Sequence, residues 1–320
     1  MTEHHTVKGF RNLQRTPRHG WSSLLRWVLG LGPEETPAVE PEAVPAYRPD
    51  YATPDRALIN DPPNDAVTVT WVGHATFLVQ VQGLNLLTDP VFSERCSPVA
   101  FAGPRRVARP GLALEELPRI DAVLLSHNHY DHLDLASVRA LKGARFFVPL
   151  GHRDWFETRG VGPVTEMDWW QSAALGEARV HCVPAQHFSG RGFGDRNRSL
   201  WSGWVVDAAP GKLYFAGDTG YAPLFSEIGA RLGPMRLALI PIGAYRPRWF
   251  MHPMHVDAAE AVRIHRDVRA QRSIGMHWGT FKLTSEPLAE PPLYLARARD
   301  EAGVAPEEFH VVKIGETVSI

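Results

Sequence analysis

The stretch that most constrains this chain is Ser126-His127-Asn128-His129-Tyr130-Asp131-His132-Leu133-Asp134, which follows directly on the apolar run Ala122-Val123-Leu124-Leu125. The run reads as a buried strand. Three imidazoles and a carboxylate in six residues at its carboxyl end cannot all enter a core, because unpaired polar groups are costly to bury. In a tight loop the alternate residues His127 and His129 can face one ion, while the adjacent Asp131 and His132 turn towards a second. The H-x-H-x-D-H spacing thus suits two metals served by one loop.

Two sites need more ligands, and the chain supplies them in similar settings. His187 follows the run Val180–Val183, Asp218 ends Tyr214-Phe215-Ala216-Gly217-Asp218, and His277 ends Ser273-Ile274-Gly275-Met276-His277. Each alone is weak, since a lone His after a strand is commonly structural. Together they complete a set, with His127, His129 and His187 at one site, Asp131, His132 and His277 at the other, and Asp218 bridging. With 15 His but only Cys96 and Cys182, the chain has no disulfide framework or multi-cysteine cluster to offer.

Its 320 residues, 44% hydrophobic and 22% charged, suffice for one large α/β domain with a sizeable core. A net charge of −1 gives no global field for nucleic acid, so none is expected as a partner. Short β-rich runs at 67–71, 76–81 and 85–87 predict an antiparallel start. Strands at 122–125, 146–148, 180–183, 203–206, 213–216, 237–240 and 273–276 then alternate with helices near 135–141, 153–158, 222–232, 257–266 and 291–302. This order predicts two sheets with helices outside.

At the amino end, residues 1–32 carry Lys8, Arg11, Arg15, Arg18 and Arg26 against the single acid Glu3, with Trp21, Leu24, Leu25, Trp27, Val28 and Leu31 as apolar surface. Such a basic amphipathic arm can dock on its own protein or lie in a membrane interface. His4, His5 and His19 are expected to bind nothing. Prolines at 33, 37, 41, 45 and 49, with Glu34, Glu35, Glu40 and Glu42, make residues 33–63 an extended strap. The division expected is a 1–63 arm and strap before a 64–320 catalytic domain. No run is long enough to span a bilayer and no signal peptide is evident, so the expected location is cytoplasmic, with peripheral contact at the inner membrane face through residues 1–32.

The strand-terminal H-x-H-x-D-H, the single His187, Asp218 in a G-D-T context and the late His277 resemble the metallo-β-lactamase fold, an αβ/βα sandwich of two mixed sheets flanked by helices. Within it the chain is most similar to the N-acylphosphatidylethanolamine-hydrolysing phospholipase D family. Trp71 to Thr76, Leu87-Thr88-Asp89-Pro90, Phe215 to Tyr221, Pro241 to Tyr245, Pro247 to Met251 and His277 to Phe281 carry that likeness. It implies two divalent ions, zinc by family expectation, and attack of a bridging hydroxide on a phosphodiester, giving phosphatidate and an N-acylethanolamine. Asp131 and Asp218 would serve the chemistry, and His255 is a candidate proton donor to the leaving oxygen. His74, Asp89 and Asp134 are candidates to hold the ligands in place, Asp134 alternatively as a turn cap. Arg191 is a candidate phosphate contact, and Tyr245, Trp249 and Met254 are candidates to line the lipid site. A phospholipid or another small phosphodiester is the expected substrate, a lactone the rival substrate, a non-catalytic metal-bound scaffold a third reading, and a homodimer the candidate assembly.

Overall fold

The computed structural model describes residues 3–14, 20–33, 35, 37–192 and 194–320. Expectations resting on Arg15, Arg18, His19 and Glu34, and on the side chains of Trp21, Leu24 and Val28, lie outside the described residues.

A short hairpin, β1 (His5–Thr6) and β2 (Gly9–Phe10), precedes the main body. There, β3 (Thr68–Gly73), β4 (Thr76–Val81), β5 (Leu84–Thr88), β6 (Ala122–Leu124), β7 (Arg145–Pro149) and β8 (Val164–Met167) form one sheet. A second contains β9 (Ser172–Leu175), β10 (Ala178–Val183), β11 (Gly203–Asp207), β12 (Lys212–Phe215), β13 (Met235–Pro241), β14 (Ala270–Met276) and β15 (Phe309–His310). The last strand, β16 (Thr317–Ser319), returns to the first sheet beside β3, so each sheet has seven strands. Both sheets are mixed: three antiparallel pairings are followed by three parallel ones, β5 to β8 in the first and β12 to β15 in the second.

The strands are apolar on both faces because both faces are covered. Along β6, Ala122 and Leu124 join the cluster between the sheets, with Trp71, Phe77, Phe147, Val180 and Trp204. Val123 and Leu125 pack the other way, with Val138 of α3 (Leu135–Ala140) and Phe156 of α4 (Arg153–Glu157). On the second sheet, α5 (Leu224–Leu232), α7 (Ala258–Asp267) and α8 (Glu290–Ala302) bury Phe225, Ile228, Val262 and Leu295. Asp257 caps α7 in a reciprocal box with Glu260, as the Asp-x-x-Glu spacing dictates. Two shorter or peripheral helices, α1 (Trp21–Val28) and α6 (Arg248–Met251), lie near each other, with the Trp27 ring 5.1 Å from Phe250, and the one-turn α2 (Arg56–Asn60) precedes β3.

The αβ/βα sandwich expected from the sequence is the architecture observed. The pairing of β16 with β3, which sets Thr317 opposite Thr70, has no local signature in so short a strand. Among the described residues no helix is long and apolar enough to cross a membrane.

Candidate metal centre

The turns after β6, β12 and β14 and the loop after β10 meet at one edge of the sandwich. His127, His129, His132, His187, Asp218 and His277 reach it from these separate connections, and His74 joins them from the β3–β4 turn. His74, Asp89 and His277 have φ of 56°, 30° and 61°, the left-handed region that L-residues seldom occupy. Such strain persists only where the surroundings enforce it, and it gathers at sites of function. Gly217, at φ 61°, brings its backbone so near Ser126 that a Cβ would lie 2.5 Å from the serine Cβ. That close approach sets Asp218 beside the histidine loop.

Two groups of potential ligands result. In the first, His127 Nε2 lies 2.7 Å and His187 Nε2 3.3 Å from His129 Nδ1. In the second, the Asp131 Oδ2 atom lies 3.2 Å from His74 Nε2, 3.5 Å from His132 Nε2 and 3.4 Å from His277 Nε2. Asp218 stands between them. Its Oδ1 is 3.1 Å from His277 Nε2, and its Oδ2 is 3.1 Å from His132 Nε2 and 3.8 Å from His187 Nε2.

The electrostatics divide along the same line. Burial holds His127 well below the ordinary imidazole range, His129 down to about 4 and His187 down to about 3, so all three present neutral nitrogen lone pairs. Burial opposes charge on Asp131 and Asp218 too, but His132 and its neighbours outweigh it and hold both carboxyls well below their usual range. Conversely, His132 is raised well above its usual value and His277 to about 9, the carboxylates overcoming burial. His132 Nε2, His277 Nε2 and Asp218 Oδ1 are buried with no hydrogen-bond partner. Buried polar atoms are normally paired. Orphaned nitrogens and oxygens aimed at common points, with no thiolate among them, fit hard or borderline divalent cations.

Asp89 organises the ligands from behind. Its Oδ2 accepts from His132 Nδ1 at 2.6 Å and from Ser126 Oγ at 2.5 Å, and its Oδ1 accepts from Ser126 N at 2.7 Å. Ser126 Oγ is in turn 2.9 Å from His127 Nδ1. One buried carboxylate thus orients a histidine of each group, a role that sequence reasoning gave to Asp89 without finding the Ser126 relay.

The structure places the other candidate residues as follows. Asp134 touches no ligand histidine; it caps α3, accepting from Ser137 N at 3.3 Å and from Ser93 Oγ at 2.7 Å. Arg191, expected to meet a phosphate, donates Nη1 to the Asn128 and Leu133 carbonyls at 2.8 and 2.7 Å and lies 3.9 Å from the Tyr130 ring centre. It braces the histidine loop. Tyr245 is buried and donates to Glu290 Oε1 at 2.6 Å, so it is a packed post and not a groove wall. Trp249 lies under Arg26, whose guanidinium is 5.4 Å from its ring. Met254 acts through its backbone: its carbonyl accepts from His187 Nδ1 at 2.9 Å. His255 is buried with Nε2 3.9 Å from Asp218 Oδ2, and burial lowers it to about 3. His4 and His5, expected to bind no ligand, hydrogen-bond within the protein to Asp168, at 2.6 and 2.8 Å.

Residues 84–278 match a family described as Beta-lactamase superfamily domain. The chain belongs to the β-lactamase superfamily. A Caenorhabditis elegans protein named N-acyl-phosphatidylethanolamine-hydrolyzing phospholipase D 1 is 43% identical, with 77% of this chain and 74% of that protein covered. The mitochondrial protein of that activity's name from Saccharomyces cerevisiae is 36% identical over 69% of this chain, which spans about half (49%) of it. The structure of Igni18, a metallo hydrolase from Ignicoccus hospitalis, superposes with a TM-score of 0.61 at 24% identity, covering 80% of this chain and 98% of that one, and shows the shared fold. This β-lactamase superfamily member is a metal-dependent hydrolase, and the histidine and aspartate groups above are its candidate ligands.

Proposed function

We propose that this enzyme holds two divalent ions, zinc foremost, and hydrolyses N-acylphosphatidylethanolamine to an N-acylethanolamine and phosphatidate. The observation that carries the reading is the Asp218 carboxylate, with one oxygen 3.1 Å from His277 and the other 3.1 Å from His132 and 3.8 Å from His187. A single carboxylate so placed can bind to both groups at once. The names of the worm and yeast relatives support the substrate class.

Ions held by these residues would supply hydroxide near neutral pH and neutralise charge on the non-bridging phosphate oxygens. The chain's own part is positional. His127, His129 and His187 present neutral imidazoles, Asp131, His132 and His277 complete the second group, and Asp89 and the Met254 carbonyl fix their rings. In the reaction a P–O bond to water oxygen forms, the P–O bond to the N-acylethanolamine oxygen breaks, and that oxygen takes up a proton. His255, neutral through burial and with Nε2 3.9 Å from Asp218 Oδ2, would offer a ring N–H to the departing oxygen.

For the partner, Leu25, Leu29 and Leu31 are 58%, 58% and 61% exposed on and after α1, beside Arg26. Apolar side chains next to a cation suit an anionic bilayer surface, which supports peripheral contact of the enzyme with the inner membrane face. Leu25→Ser/Leu29→Ser/Leu31→Ser should weaken sedimentation with phosphatidylglycerol vesicles and leave hydrolysis of a short-chain soluble substrate within twofold; unchanged vesicle binding would remove the membrane reading. A homodimer remains part of the proposal, checked by the sedimentation coefficient.

The deciding test is product release from N-acylphosphatidylethanolamine vesicles by metal-replete protein, with His127→Ala as control. Release that depends on His127 supports the reading; none from verified dimetal protein refutes the substrate and moves the assignment to lactones or soluble phosphodiesters.

A further inference from the structure

We propose that the amino-terminal segment is a built-in brace of the metal centre, with Asn12 as the positioning residue for His187. This rests on the reading that His187 is a metal ligand. The Asn12 amide meets both main-chain polar groups of His187: its Nδ2 donates to the His187 carbonyl at 2.9 Å, and its Oδ1 accepts from His187 N at 3.2 Å. The same Oδ1 accepts from the Trp201 indole at 3.0 Å. His187 lies beyond the end of β10, where no ladder partner holds its backbone. The Asn12 side chain supplies the two bonds that a neighbouring strand would give. With the ring fixed by the Met254 carbonyl at 2.9 Å, His187 is held by both its backbone and its side chain.

The segment is itself fastened at a distance from the centre. Phe10 N donates to the Asn197 carbonyl at 2.8 Å, and His4 and His5 each take one oxygen of Asp168 at 2.6 and 2.8 Å, with His4 lying 4.2 Å from the Trp169 ring. His4, His5 and Asp168 have the residue types of a cation site, but their ring nitrogens and carboxylate oxygens satisfy one another directly. At the metal centre, by contrast, His132 Nε2, His277 Nε2 and Asp218 Oδ1 are orphaned. The trio is therefore a hydrogen-bonded latch. Gly9, at φ 147°, lies so near Asn197 that a Cβ would fall 2.0 Å from its carbonyl oxygen, so the latch closes only with glycine there.

Groups that orient a ligand typically govern metal affinity or activity by about 10- to 100-fold. Asn12→Ala is expected to weaken Zn²⁺ binding, measured by competition with a chromophoric chelator, by about tenfold. It should also shift the visible spectrum of the Co²⁺-substituted protein, and lower kcat for a soluble phosphodiester about tenfold with KM within twofold. Asn12→Asp keeps both acceptor bonds but turns a carboxylate oxygen towards the His187 carbonyl, two acceptors in opposition, so it should restore little of the affinity. Gly9→Ala, which touches no ligand, should reproduce the Asn12→Ala spectrum by unseating the segment. Wild-type Zn²⁺ affinity and Co²⁺ spectra in both Asn12→Ala and Gly9→Ala, even with a lowered Tm, would overturn the brace. In His187→Ala, loss of one ion beside an unaltered Asn12→Ala refutes the brace alone, whereas full metal content refutes the ligand reading and the brace with it.

Discussion

Replacing Asp89 by Asn tests the organisation of the centre with the least change in shape. Three donors converge on the two Asp89 oxygens: Ser126 N on Oδ1, and Ser126 Oγ and His132 Nδ1 on Oδ2. Asparagine tolerates the φ of 30° that Asp89 adopts, so backbone strain does not enter. If the amide oxygen takes the Oδ2 position, its NH2 faces the Ser126 N–H and two donors oppose each other in a site with no exposure. If it takes the Oδ1 position, the NH2 faces His132 Nδ1, which can then only accept; the ring proton moves to Nε2 and occupies the lone pair an ion needs. An unmet buried donor costs about 1–3 kcal/mol, equivalent to about 5- to 150-fold in an equilibrium constant. The loss falls on folding in the first arrangement and on metal affinity in the second. Chelator competition with Zn²⁺ and thermal unfolding of the metal-free protein separate the two. Wild-type affinity together with wild-type stability would show that Asp89 does not orient His132.

Asp218→Asn should lower turnover by at least about 10³-fold and reduce bound metal, because an amide offers one neutral oxygen where the centre needs two charged ones; wild-type metal content measured by mass spectrometry would exclude a bridging role. Metal binding should release protons, since His132 is raised well above its ordinary pKa and His277 to about 9. Both are therefore protonated at neutral pH without metal, and apparent Zn²⁺ affinity should fall as pH drops from 8 to 6, with proton release visible by calorimetry in buffers of different ionisation enthalpy; a flat profile would count against the pairing of these histidines with Asp131 and Asp218. Arg191→Ala should lower kcat about tenfold, as expected for a ligand-orienting group, with little change in KM. A rise in KM alone would instead mark Arg191 as a substrate contact.

What the sequence determined by itself was the chemistry and its local frame. H-x-H-x-D-H after an apolar strand cannot lie wholly in a core, and the later His187, Asp218 and His277 each follow a strand in the same manner, so the candidate ligand set and the two-sheet plan were both legible. The positions of short strands such as β8, β9 and β16 were not, because a three- or four-residue strand is stabilised by partners distant in the chain and leaves little periodic pattern. The roles of neutral or buried groups were equally hidden. Asp89 and Asp134 look alike in sequence, each an aspartate in a turn beside a motif, yet one meets His132 and the other caps a helix, a difference fixed only by where β5 and α3 place them. Arg191 reads as a phosphate contact but donates to carbonyls of the histidine loop, and Asn12 carries no signal at all. Its importance comes from a contact across 175 residues of chain with a backbone that lacks a strand partner. Sequence sets which atoms can bind a metal; only the tertiary structure decides which other atoms hold them still, because hydrogen-bond geometry depends on elements that meet in space and not in order.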